Sequence, residues 1–192
     1  MIAKVYSVVD IGAYDLVAVW EEHLRSEFVA RDVNAPTDTM VPDACVNHVP
    51  TMTGGVCRDE LKRFYKYHFV KANPPDIEII PISRTVGTDT IVDEMVAKFT
   101  HTCVIDYLLP GIPPTGRSVE IPTVVVAQFR DGKLASEHIY WDQASVLVQI
   151  GKLDSAGLPI AGVEVARKVL DRTLPSNRLM AREWQGSEGK PI

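Results

Sequence analysis

The chain has 192 residues, 46% of them hydrophobic and 23% charged, which fits one globular domain and leaves two cramped. Twenty basic residues against twenty-five acidic ones give a net charge of −5, and no basic run could neutralise a string of phosphates, so nucleic acid is not an expected partner. Apolar runs fall far short of the ~20 residues a membrane helix needs, and the N-terminus carries a Lys and an Asp within its only apolar stretch, unlike a signal peptide; the expectation is a soluble, cytoplasmic protein with no membrane partner.

Between Ile11 and Asp32, residues Leu16, Val17, Trp20, Leu24 and Phe28 recur at intervals of three and four, predicting an amphipathic helix with Asp10 as its N-cap. Asn34-Ala35-Pro36 ends it. Ala44 to Val49 reads as a short strand before Pro50 and a turn at Gly54-Gly55, and a second helix runs from about Asp59 to Phe69, closed by Asn73-Pro74-Pro75. Beyond Pro75 the period changes to two, and β-branched residues dominate four runs: Asp76 to Val86, Thr90 to Ile105, Val119 to Arg130 and Lys133 to Trp141. Gly87-Thr88-Asp89 and Asp131-Gly132 are tight-turn chemistry, so these strands are expected to be antiparallel. Leu109 to Arg117, rich in Pro and Gly, is a loop. A helix from Gln143 to Ile150 ends at Gly151, another covers Val163 to Asp171, and residues 176–192 form a polar, partly disordered tail behind a single domain of residues 1–175.

Helices first and a meander of long strands afterwards imply an α+β domain, in which a strongly curved antiparallel sheet forms a cone around the N-terminal helices. Such a cone has an apolar interior with one open mouth, a ready pocket for a small molecule. The three cysteines, Cys45, Cys57 and Cys103, are widely spaced and argue against a disulfide framework or a zinc site, and no other metal-ligand spacing is present. Neither metal nor cofactor is expected. Gly54-Gly55 lacks the context of a phosphate-binding loop, and Cys57 does not sit on a nucleophile elbow.

Strand alternation places His138, Tyr140 and Asp142 on one face of the last strand, and Glu137, Ile139 and Trp141 on the other. If the face with Asp142 turns inward, a carboxylate, an imidazole and a phenol converge as an enolisation or aldol reaction requires; the apolar Leu134 favours that face. If the opposite face turns inward, Glu137 is the buried carboxylate. Asp142 is either an acid/base at a dry wall or the N-cap of the following helix. His101 shares a strand face with Met95, Ala97 and Phe99, and reads equally as a core histidine or a functional one. His48 could reach the pocket, Asp106 could line its mouth, and Arg84 and Glu94 suggest a cross-strand ion pair.

The run His101-Thr102, Pro110-Gly111-Ile112-Pro113-Pro114-Thr115-Gly116-Arg117, Phe129 to Leu134, Glu137-His138-Ile139-Tyr140-Trp141-Asp142 and Gln149-Ile150-Gly151 resembles the SnoaL-like polyketide cyclases. These belong to the nuclear-transport-factor-2-like superfamily, with a cystatin-like cone fold that also serves ketosteroid isomerase and scytalone dehydratase. The resemblance implies a cofactor-independent cyclase, isomerase or lyase acting on a small hydrophobic carbonyl compound. By position it implies Asp142 as acid/base, and the match at His101-Thr102 adds His101 as the second catalytic candidate; His138, Tyr140, His48 and Asp106, read from their places on the strands and loops, are the expected substrate contacts. A non-catalytic ligand-binding domain and a dimerisation module are the alternatives. Because both faces of the strand holding Val124, Val125, Val126 and Ala127 are apolar, a homodimer is expected to cover the outer one.

Overall fold

The computed structural model describes residues 14–192, so Asp10 and the beginning of the expected first helix lie outside the described residues. Helix α1 (Leu16–Leu24) starts instead at Asp15, whose Oδ1 accepts from the Ala18 amide at 3.0 Å. It buries Leu16, Trp20 and His23 and then widens into a π-turn, Arg25–Val29, where the Ala30 amide reaches back to the Arg25 carbonyl. Helix α2 (Cys57–Phe64) ends the same way, in a π-turn over Tyr65–Phe69. Each π-turn inserts a residue into its helix and shifts the phase of the residues after it. As a result Glu27 and Phe28, adjacent in sequence, both reach the interior.

Six strands arise from the period-2 runs and the segment before them: β1 (Met40–His48), β2 (Thr53–Val56), β3 (Glu78–Val86), β4 (Thr90–Thr100), β5 (Ser118–Arg130) and β6 (Lys133–Trp141). They form one curved, unclosed sheet in the order β2-β1-β6-β5-β4-β3. Neighbours are antiparallel except β1 and β6, which run parallel, so the expected antiparallel meander is β3 to β6 only. The β5–β6 turn has positive φ at both Asp131 (53°) and Gly132 (72°), the geometry that matches the twist of a hairpin. Gly54 and Gly55 form no turn; they lie within β2. At Gly54 φ is 145° and an added Cβ would sit 2.0 Å from the Val46 carbonyl oxygen, so glycine is required by the closeness of β1.

The two helix–π-turn segments fill the concave face. Met95 and Phe99 of β4, Val119, Ile121, Val125, Ala127 and Phe129 of β5 and Leu134 of β6 form the core with Trp20, Leu61, Phe64, Tyr65 and Phe69. Beyond the sheet, α3 (Gln143–Gln149) and α4 (Glu164–Leu170) pack against β5, while residues 178–185 form short exposed helical turns, including α5 (Ala181–Gln185). No helix among the described residues is long and apolar enough to cross a membrane. Arg84 pairs with Asp93 and Glu21, not with Glu94, because an irregularity between Pro81 and Ser83 moves the β3–β4 register; Glu94 instead accepts from Ser83.

Candidate active site

The concave face encloses a cavity of about 90 Å³, several times the roughly 10–15 Å³ that one water needs. Its wall is mostly apolar and aromatic: Phe28, Phe69, Phe99, Tyr107 and Trp141 contribute rings, and Ile77, Ile79, Ile121 and Val125 fill between them. Such a wall excludes water and strengthens any electrostatic interaction set into it.

Two carboxylates are set into it. Glu27, from the first π-turn, and Glu137, from β6, are 4% exposed each, and their Oε1 atoms lie 3.1 and 3.0 Å from Nε2 of the fully buried His23. Proton positions are dictated by the other side of the ring. Thr39 spends its hydroxyl proton on the Pro36 carbonyl (2.7 Å), so it can only accept from His23 Nδ1, also at 2.7 Å. Burial alone would depress this imidazole, but Glu27 and Glu137 outweigh it and lift His23 to about 10. His23 is therefore an imidazolium at neutral pH. Burial raises Glu27 above the usual carboxylate range, with His23 opposing, so the cluster holds one carboxyl disposed to keep a proton beside one cation. Nε2 is in ion-pair range of both carboxylates, although Glu137 Oε1 receives no well-aligned hydrogen bond from it.

A second layer fixes the cluster. Trp20 stacks on His23 with the rings 11° from parallel and centroids 5.7 Å apart. Its indole N–H donates to buried Asp93 (2.8 Å), which Arg84 grips through both guanidinium branches. Other polar tips on the wall are committed as well: the Tyr107 hydroxyl donates to Asn73 and the Trp141 indole to Gln143. The Tyr65 hydroxyl, 3.4 Å from His23 Nε2, donates into the same cluster, to the Glu27 and Glu137 carboxylates, whereas the Thr123 hydroxyl remains a donor with no acceptor among the described residues. No group of three or more His, Cys, Asp or Glu among the described residues is arranged to hold a metal ion.

The SnoaL-like polyketide cyclase family profile matches residues 20–150, more than half of the chain. The chain belongs to this family. Among solved structures, a protein from Jannaschia sp. CCS1 assigned as a SnoaL-like polyketide cyclase is 19% identical, with a TM-score of 0.56 over 77% of this chain and all of that one. IdmH of Streptomyces antibioticus, assigned as a polyketide cyclase, is 22% identical, with a TM-score of 0.53 over 72% of this chain and 99% of IdmH. SalBIII, described as an epoxide hydrolase/cyclase-like enzyme in pyran ring formation in the polyether salinomycin, is 18% identical, with a TM-score of 0.51 over 66% of this chain and 90% of its own. At these identities the likeness establishes the fold, which is the nuclear-transport-factor-2-like, ketosteroid-isomerase-like one. No curated protein sequence matches the chain.

Within this SnoaL-like domain, the residues singled out by sequence are distributed differently from the expectation. Of the six, only His48 lies on the cavity wall. His138 and Tyr140 face outward and are exposed, and the inward face of β6 carries Glu137, Ile139 and Trp141. The reversal has a local cause: β6 pairs Phe129 with Leu134 but Gln128 with Ser136, so one extra residue is accommodated between Leu134 and Ser136. Leu134 and Glu137 therefore share the inward side although their separation is odd. Asp142 is exposed, and its Oδ1 caps α3 by accepting from the Ser145 amide at 3.1 Å. His101 lies just past the end of β4, buried outside the cavity wall, with Nδ1 3.1 Å from the Thr115 hydroxyl. Asp106 pairs with His68 at 2.9 Å, both half-exposed. Gln149, of the Gln-x-Gly motif, holds the Glu120 backbone through both its amide groups, and Gly151 comes after α3 at φ 69°. Sequence reasoning missed His23, Glu27, Tyr65 and Thr123; a signal was present in His23 and Glu27, which stand four residues apart with Trp20 on a helical face.

Proposed function

We propose that this SnoaL-like protein is a cofactor-independent cyclase or isomerase that enolises a hydrophobic carbonyl compound, with Glu137 as the base. The observation that carries the reading is the pair of buried carboxylates sharing the His23 imidazolium on the wall of an apolar cavity. Glu137 takes the α-proton; Glu27, disposed by burial to hold a proton, returns one to the product; His23 keeps the charge of the pair compensated as the proton changes place. Thr123 is the cavity hydroxyl free to donate to the developing enolate oxygen, and Tyr65, bonded to both carboxylates, holds them in position. Asp142 is left to its cap, and the acid/base role the family pattern suggested for it passes to Glu137. Ring formation is the activity named for the structurally similar SalBIII. The deciding experiment is turnover of polycyclic ketones and β-keto esters by the Glu137→Gln and Asp142→Asn variants side by side: loss in the first alone supports the reading, and loss in the second alone overturns it.

Assembly is set by the convex side of the sheet. Val92, Val126 and His138 form one cross-strand row, with Glu94, Val124 and Tyr140 in the next, and Tyr140 is 43% exposed. A second copy of the chain covering these rows would bury them as a homodimer. Sedimentation equilibrium at micromolar concentration should then give twice the 21.2 kDa mass, and Val124→Glu together with Val126→Glu should return it to the monomer value. A wild-type protein that sediments only at 21.2 kDa refutes the dimer.

A further inference from the structure

The cavity has a second polar feature that the acid/base cluster does not use. His48, the last residue of β1, is 3% exposed, and the rings of Phe64, Phe69, Tyr107 and Trp141 surround it with centroids 5.5, 5.5, 4.9 and 5.9 Å away. Its Nδ1 lies 3.2 Å from the Thr53 carbonyl, and because a carbonyl only accepts, Nδ1 carries the ring proton. Burial depresses this imidazole to about 4, so it holds no second proton at neutral pH. Nε2 is therefore a lone-pair acceptor, and no described residue is placed to donate to it. The two buried histidines are thus opposite in kind: His23, behind the wall, is a cation held between carboxylates, and His48, on the wall, is a neutral acceptor held among aromatic rings.

An acceptor of this sort on a mostly apolar wall gains from a ligand that brings an O–H or N–H group to it. Register places it relative to the base. In the parallel β1–β6 pairing Val46 lies beside Glu137 and His48 beside Ile139, so His48 stands one two-residue repeat further along and one strand across from Glu137, about 8 Å away on the same wall. That is the separation across a single six-membered ring with its substituents.

We propose that His48 Nε2 is a specificity-determining acceptor that takes a hydrogen bond from a ring hydroxyl of the substrate, with the hydroxyl at His48 and the acidic carbon at Glu137. The assignment of the second end rests on the acid/base reading of Glu137; the hydroxyl site does not. The aromatic rings around His48 stack on the flat ligand, and the Nε2 lone pair selects against an analogue whose oxygen is alkylated or missing.

The test is binding, read without turnover. Fluorine-detected NMR titrations of the full chain with 4-fluorophenol, 4-fluorotoluene and 4-fluoroanisole compare a hydroxyl donor with a ring that lacks the oxygen and one that lacks only the proton. The wild type should prefer 4-fluorophenol by about tenfold over both others, the worth of one well-made buried hydrogen bond. His48→Phe should abolish that preference while still binding the apolar rings, and His48→Met, an apolar chain that adapts to irregular space, repeats the test should the bulkier ring unfold the wall. Glu137→Gln should keep the preference. Equal binding of the three probes by the wild type, no binding of any of them, or a preference that survives both His48 variants overturns the proposal. A preference lost in Glu137→Gln and kept in His48→Phe would also overturn it, by assigning the hydroxyl to the carboxylate. Conversely, an unchanged turnover in Glu137→Gln with the His48-dependent preference intact would remove the acid/base reading and leave the hydroxyl site standing.

Discussion

Glu137→Gln is expected to lower turnover by about 10²–10⁴, equivalent to roughly 3–5 kcal/mol of transition-state stabilisation, the usual cost of losing a general base. The amide has nearly the carboxylate's shape, so the apolar wall and the binding of substrate should be preserved; what is lost is the ability to take up a proton 3.0 Å from an imidazolium that compensates the charge. The effect should therefore fall on kcat and leave KM little changed. Asp142→Asn is the internal contrast. Asparagine caps a helix as well as aspartate, and the Asp142 side chain is exposed, so that variant should keep both the melting temperature and the rate. Steady-state kinetics on any accepted ketone, together with thermal melting of both proteins, decides between the two carboxylates.

The second large effect is on stability. His23 rises from the ordinary 6.5 to about 10 in the folded chain, so the folded state binds its proton more tightly than the unfolded one. The stabilisation is complete below about pH 6.5 and is lost progressively as the pH climbs through 10, on the order of 4 kcal/mol in all. Glu27 contributes in the same direction, since a carboxyl raised by burial also holds its proton more tightly in the folded state. The melting temperature should accordingly fall between pH 6.5 and pH 10. In His23→Phe the share of the slope that His23 supplies should disappear and the share of Glu27 remain, while the protein is destabilised because the buried carboxyls are left without a cation, a loss of about 3–5 kcal/mol for a buried pair broken on one side. A wild-type melting temperature that is constant across this range would show that His23 is neutral in the folded state.

How much of the fold and the site was legible in the sequence depends on the distance over which each feature is decided. The strands from Glu78 to Trp141 declare themselves through β-branched alternation and through Asp131-Gly132, because periodicity and turn chemistry are local. Which side of β6 faces inward is not local. Leu134 pointed to the correct side for its own position, and the irregular pairing at Ala135 and Ser136, visible only against β5 and β1, reversed the parity for everything after it. The same lack of a local signal hid Glu27: a plain α-helix would not place it beside Phe28 on the cavity, and the π-turn that does so forms only where tertiary packing rewards it. His48 was in reach because it ends the regular half of its strand, where Ala44, Val46 and His48 are buried in turn. Asp142 stayed open between two roles for a different reason: a strand-end aspartate and a helix-start aspartate have the same sequence neighbourhood, and the Ser145 amide shows that this one caps the helix.

The parallel contact between β1 and β6 also governs when the chemistry can come into being. The hairpins from β3 to β6 join strands adjacent in sequence and close at small entropic cost, whereas the β1–β6 contact brings residue 40 to residue 134 and has to wait for β6. His23 and Glu27 arrive with the N-terminal segment, Glu137 with the hairpins, so the proton-sharing trio exists only once this long-range closure is made. Until then each of its charges is solvated by water and costs nothing. On the proposed reading, acid/base competence belongs to the assembled tertiary structure alone, and its appearance during refolding would report the β1–β6 closure.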